Sequence, residues 1–136
     1  MSYAFELHCL LPASPREVYD AWLSSEGHSA MTGGEAEMSD KVGASVSAWD
    51  GYITGANVEL TPATKIVQTW RTTQFGADDP DSTIEVRLAP DPSGCKLALR
   101  HSGVPDGQTS YERGGWQTHY FEPMQSYFAA KTAAKL

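Results

Sequence analysis

Four tryptophans, four histidines and two cysteines carry most of the chemical potential of this 136-residue chain. His101 is the most informative of them. It closes a run in which Leu97, Leu99 and His101 share one parity, while Lys96, Ala98 and Arg100 take the other. The apolar parity is the one a covering element would bury. A buried polar group without a partner costs about 1–3 kcal/mol, so His101 has three possible roles. It is a structural histidine bonded to a backbone carbonyl or a tyrosine, a polar anchor inside a cavity, or a general acid or base. His8 has the parity opposite to Phe5 and Leu7 and is expected at the surface. His28 falls in a helical insert and His119 on the flank of the last helix.

Trp22, Trp49, Trp70 and Trp116 admit two readings. Indoles bury large areas and serve as core, and they also wall pockets for apolar molecules and offer one donor each. Trp49, Trp70, His101, Trp116, Tyr120 and Met124 are therefore the candidate ligand-binding residues. No catalytic residue is assigned. The chain has neither a Gly-x-Ser-x-Gly elbow nor a helical His-Glu-x-x-His, and Gly33-Gly34 lacks the strand-turn-helix context of a phosphate loop. The cysteines and histidines are too scattered for a zinc framework, so no metal or cofactor is expected. Glu35, Glu37 and Asp40 read as a solvated loop.

The formal net charge is −7, which disfavours nucleic acid and anionic membrane surfaces as partners. Cys9 and Cys95 are too few for a disulfide scaffold and read as reduced thiols. There is no signal-peptide pattern and no apolar run long enough to span a membrane. A cytoplasmic protein forming one domain over residues 1–136 is the expectation.

The elements that would position these residues follow from periodicity. Tyr3–Leu11 alternates as a half-buried strand. Ser14-Pro15-Arg16-Glu17 combines a cap, a first-turn proline and a capping-box glutamate, and a second short helix starts at Ser24 or Ser25. Ala44–Trp49 and Tyr52–Leu60 flank Asp50-Gly51, a hairpin-turn dipeptide, with Val58 and Leu60 on one face. Lys65–Thr72 turns Ile66, Gln68 and Trp70 one way. Ser82–Ala89 alternates Ile84, Val86 and Leu88 with Glu85 and Arg87, and Cys95–Gly103 completes the set. A loop over Val104–Thr109 leads to a long helix in Tyr111–Phe128. Trp116, Tyr120, Met124 and Tyr127 form its apolar stripe, and Pro123 introduces a bend. The fold class is α+β. A curved six-stranded antiparallel sheet wraps a long C-terminal helix, and two short helices lie between strands 1 and 2.

That order resembles the helix-grip fold of the START-like (SRPBCC) superfamily. Several local patterns are similar to the group related to the activator of the 90-kDa heat-shock chaperone ATPase. They are Ala13-Ser14-Pro15-Arg16-Glu17-Val18-Tyr19-Asp20-Ala21-Trp22, Trp49-Asp50-Gly51-Tyr52-Ile53-Thr54-Gly55, Ile66-Val67-Gln68-Thr69-Trp70-Arg71, His101-Ser102-Gly103-Val104-Pro105 and Gly115-Trp116. The resemblance spans nearly the whole chain. It implies a sheet gripping the last helix with a cavity between them, which in related families holds lipids, hormones or polyketides. The expected function is binding of a small hydrophobic or amphipathic molecule there. The resemblance also implies an alternative, a chaperone-associated interaction module. The eukaryotic co-chaperone of the group carries an additional N-terminal domain, whereas this chain begins at its first strand and is expected to stand alone. A third reading is a cyclase- or hydrolase-like enzyme using His101 with Tyr120 or Tyr127.

Overall fold

Strict alternation builds the sheet. The computed structural model describes residues 2–105 and 114–134. Its strands are β1 (Ser2–Leu11), β2 (Ser45–Ala48), β3 (Ile53–Thr61), β4 (Lys65–Thr72), β5 (Ser82–Asp91) and β6 (Gly94–Pro105). They form one antiparallel sheet in the order β1-β6-β5-β4-β3-β2. Cross-strand pairs stack the inward residues: Ile66 opposite Val86, Gln68 opposite Ile84, Val86 opposite Leu99, Ile84 opposite His101. All of these are fully buried. The parity read from the sequence therefore defines the core layer, because neighbouring strands in register present the same face.

The alternation slips in β3. Val58 and Leu60 were expected to share one face, yet Val58 is half exposed, and Asn57 is buried. The β3–β4 register shifts between Asn57 and Glu59. An extra residue at a bulge reverses the parity beyond it. At the end of the sheet, β2 is short, and a bridge from Glu37 to Ser47 partly covers its free edge.

Helices α1 (Pro15–Trp22) and α2 (Ser25–Thr32) connect β1 to β2. The capping box at α1 is formed in both directions: Glu17 N–H donates to Ser14 Oγ at 3.1 Å, and Ser14 N–H to Glu17 Oε1 at 3.2 Å. Such caps typically contribute about 1 kcal/mol. α1 buries Val18, Tyr19 and Trp22. A buried polar relay fastens it to the sheet. Trp22 Nε1 donates to Gln68 Oε1 (3.0 Å), Gln68 Nε2 to Asn57 Oδ1 (2.9 Å), and Asn57 Nδ2 to the carbonyls of Ser39 (2.8 Å) and Lys41 (3.0 Å). The inward turn of Asn57 at the bulge is thus what completes the chain of donors and acceptors.

The C-terminal helix opens with a π-helical turn, Gln117–Phe121, and continues as α3 (Glu122–Ala134). Glu122 N–H bonds to the carbonyl of Gln117, five residues back. The widened turn directly precedes Pro123, whose ring has no N–H and crowds the carbonyl four residues earlier. The expected distortion at Pro123 is therefore taken up as a π turn. The apolar stripe runs through it as Trp116, Tyr120, Met124, Phe128, with Phe121 also buried. Tyr127, the expected fourth member, is only half-buried. β6 continues through Pro105. The rest of the expected Val104–Thr109 loop, and residues 111–113 of the expected helix, lie outside the described residues. Among the described residues no helix is long and apolar enough to cross a membrane.

Candidate functional site

The site is built where the β2–β3 connection meets the π turn. Instead of a two-residue turn on Asp50-Gly51, three successive residues take left-handed backbone angles: Trp49 (φ 53°), Asp50 (φ 58°) and Gly51 (φ 89°). Non-glycine residues hold that conformation only where surrounding structure enforces it. Here Asp50 N–H donates to the Glu35 carbonyl at 2.9 Å, and Asp50 Oδ1 accepts from Glu35 N–H at 3.3 Å. The indole of Trp49 then lies directly over Gly34. A Cβ at Gly34 would meet Trp49 Cε3 at 2.4 Å, so only glycine leaves room for the ring. Gly33-Gly34 is thus a seat for an indole, not a phosphate loop. On the other side, the His119 ring meets Trp49 edge-on at 5.5 Å.

Between these elements is a cavity of about 420 Å³. Trp49, Trp70, Trp116 and Tyr120 wall it, Thr72 and Gln74 add polar atoms, and Tyr52 and His119 stand exposed at its rim. Trp70, Trp116 and Tyr120 are themselves almost wholly buried. Their rings pack together at centroid distances of 4.9–6.0 Å. They are core on one face and cavity wall on the other. Cavities of roughly 300–1,000 Å³ with mainly aromatic walls accept small molecules.

Two histidines behind the cavity are locked. Trp116 Nε1 donates to His101 Nδ1 at 3.2 Å, so the proton of this neutral ring sits on Nε2. Nε2 then donates to Ser82 Oγ at 2.8 Å, and Ser82 passes its own proton to the Trp70 carbonyl. Burial lowers the His101 pKa to about 3. His28 is fully buried as well. Its Nδ1–H donates to the Trp22 carbonyl at 2.9 Å, and its Nε2 accepts the Tyr120 hydroxyl proton at 2.8 Å. Burial lowers its pKa to about 4, partly opposed by the Trp22 carbonyl. Burial raises the Tyr120 pKa, and the Trp49 indole N–H acts weakly the other way. Even so, Trp49 Nε1 is buried and forms no hydrogen bond among the described residues. An unsatisfied buried donor costs about 1–3 kcal/mol.

The six candidate residues therefore separate. Trp49, Trp70, Trp116 and Tyr120 converge on the cavity. His101 and Met124 do not line it. Met124 is fully buried in the core further along the helix, and His101 stands behind Trp116 with both ring nitrogens engaged. Its lone pair accepts the indole proton, so His101 is not poised to act as a base. The cysteines supply no ready nucleophile: burial pushes the Cys9 thiol up to about 12, helped by Cys95, and the Cys95 thiol up to about 11. His28, Gly34 and the His119 rim carried no periodic signal, because their partners lie on other elements.

The sequence family described as "Activator of Hsp90 ATPase homolog 1-like protein" matches residues 12–129. An activator of 90 kDa heat shock protein ATPase homolog from Dictyostelium discoideum is 24% identical over 117 residues, covering 85% of this chain and 30% of that protein. Homolog 2 from Mus musculus is 25% identical over 122 residues, covering 90% of this chain and 37% of that protein. The chain thus spans about a third of the length of these curated relatives. Among solved structures, an HSP90 activator from Plasmodium falciparum superposes with a TM-score of 0.81 at 24% identity, covering 91% of this chain and 94% of that one. That likeness shows the START-like α+β fold, which the element order had led us to expect.

Proposed function

Because the chain belongs to the family of Activator of Hsp90 ATPase homolog 1-like proteins, matched over residues 12–129, we propose that it is a chaperone-associated interaction domain. The observation that carries this reading is the breadth of that match, which takes in both short helices, the sheet from β2 onward and most of the last helix. The reading reverses the order of expectations drawn from the sequence and its resemblance to helix-grip proteins, in which small-molecule binding came first. It sets the chain in the cytoplasm, with residues 1–136 acting as one helix-grip domain. The test pairs the purified chain with the Hsp90-type chaperone of its own cell. Micromolar binding, about −8 kcal/mol, and a raised rate of ATP hydrolysis are expected. Absence of binding at saturating chaperone would remove this function.

The aromatic cavity favours a second, compatible reading, binding of a small apolar or amphipathic molecule. Its support is the 420 Å³ space walled by Trp49, Trp70, Trp116 and Tyr120. A ligand present at a hundredfold its Kd stabilises the folded state by about 2.7 kcal/mol. Thermal-shift and native mass-spectrometry screening of lipids and aromatic compounds is expected to find such a shift. A screen in which no compound raises the Tm or adds mass counts against it.

A further inference from the structure

β1 ends the sheet, and among the described residues only β6 pairs with it. Backbone groups point alternately to the two sides of a strand. The Leu10 carbonyl accepts Gln125 Nε2 of α3 at 3.1 Å, so Leu10, His8 and Glu6 turn their N–H and C=O groups away from β6. The rest of the sheet agrees. Leu88 N–H donates to the Thr64 carbonyl beside β4 at 2.8 Å, which leaves Arg87 and Ala89 facing β6. Their partners Ala98 and Lys96 then face β5, and Leu97 and Leu99 face β1. We propose that the outer edge of β1 is a self-association surface, on which β1 of a second copy of this chain pairs antiparallel about a two-fold axis at Leu7. The proposal stands apart from both functional readings above.

Three observations single out this partner and this register. The first is charge. With the axis at Leu7, Glu6 of each copy lies opposite His8 of the other, and the two exchange their outward backbone hydrogen bonds. Within one chain Glu6 and His8 already meet at 3.3 Å, with 51% of each side chain exposed. An axis at Glu6 or at His8 would set like groups face to face, which destabilises a strand pair. The second is the apolar face. Phe5 falls opposite Cys9, and Leu7 opposite Leu7. All three face the core yet are only half-buried, unlike their β6 neighbours Leu97 and Leu99, which are fully buried. On the outer face the exposed Leu10 meets Ala4. A slip of one residue would set this apolar row against the polar one. The third is the lack of a guard. Free edges are commonly blunted by lysine, proline or a bulge. Tyr3–Leu11 contains neither residue, and its one register shift, between Tyr3 and Phe5, leaves Phe5–Cys9 regular.

Sedimentation equilibrium of the full chain tests this, in about 150 mM salt, where charges beyond roughly 8 Å are screened. A monomer–dimer equilibrium with a Kd of about 10–100 µM is expected for so small an interface. His8 is exposed and lies opposite Ala98 on β6, so it can be changed without touching the core. His8→Lys is expected to tighten the dimer several-fold, and His8→Glu to weaken it about tenfold. Val42 is exposed in the loop beside β3, at the other end of the sheet. Val42→Lys and Val42→Glu alter the net charge equally and should leave the Kd unchanged. Amide exchange on the unmodified chain reads the register directly. The Glu6 and His8 amides should slow as concentration rises, while Leu7, already bonded to β6, keeps its rate. A chain that stays monomeric up to about 1 mM overturns the proposal, as does a dimer whose Glu6 and His8 amides exchange at the monomer rate. Equal effects of the His8 and Val42 substitutions overturn the Glu6–His8 pairing. The exchange rates come from the unmodified chain, so they hold whatever a variant does to folding.

Discussion

Acidification from about pH 7 to about pH 4 is expected to remove several kcal/mol of folding stability. His28 and His101 are held neutral in the folded chain, with pKa values lowered to about 4 and about 3 from an ordinary 6.5, in both cases mainly by burial. Each is depressed, so the unfolded chain takes up protons first. Their contribution is complete above pH 6.5, fades as the pH falls below it, and is exhausted once the folded-state values are passed. One proton corresponds to about 1.4 kcal/mol per pH unit, and two histidines together to about 2.7 in the middle of that window. A typical domain holds only about 5–15 kcal/mol in total. Asp91, held down by hydrogen bonds from Ser93 in the β5–β6 turn, has a solvated carboxylate and adds little. Urea midpoints measured across this range should fall steeply, and His101→Gln, which can still donate to Ser82 and accept from Trp116, should roughly halve the slope. A midpoint that stays level between pH 7 and pH 5 would mean that neither ring is buried neutral.

The same two histidines show what a single sequence can and cannot reveal. His101 sits in a strand, where parity alone puts it beside Leu97 and Leu99 on the inward face. Its partners, Ser82 on β5 and Trp116 at the helix start, are set by tertiary packing and leave no local trace. His28 was missed altogether. α2 is short, includes Gly27 and two serines, and has no clean apolar stripe to mark an inward side. His28 is enclosed by Trp22 and by Tyr120, the latter 92 residues later. The succession of elements along the chain, the capping box and the sheet face were legible because each depends on neighbours in sequence. The β3 bulge, the π turn before Pro123 and the left-handed Trp49 were not, since each is a local irregularity that only the surrounding fold makes tolerable.

These irregularities share one function, which is to aim side chains. The bulge turns Asn57 inward to receive Gln68. The π turn carries His119 and Tyr120, placing one at the cavity rim and the other against His28. The turn before β3 points Trp49 over Gly34. Buried polar chains of this kind require a defined arrangement, because a half-satisfied network is worse than an apolar one. The polar core is therefore what holds the aromatic walls in one geometry, and with them the shape of the cavity.

Trp22 is where that dependence should be largest. The side chain is fully buried, and its ring contacts His28, Tyr120 and Trp70 at centroid distances of 5.1, 5.2 and 6.5 Å. Its N–H begins the relay through Gln68 and Asn57 to the loop carbonyls of Ser39 and Lys41. Trp22→Ala removes the ring and the donor together, and is expected to cost about 3–5 kcal/mol, the usual range for a buried tryptophan. Trp22→Phe keeps most of the packing but strands Gln68 Oε1, at about 1–3 kcal/mol. The difference between the two variants, read from urea unfolding at neutral pH, separates packing from hydrogen bonding at this position. Gln68 and Asn57 fasten the 39–41 loop to the sheet, so amide exchange there should quicken in Trp22→Phe even while the protein remains folded. A Phe variant as stable as the parent, with unchanged exchange in that loop, would show that the relay contributes nothing and that Trp22 acts through its ring alone.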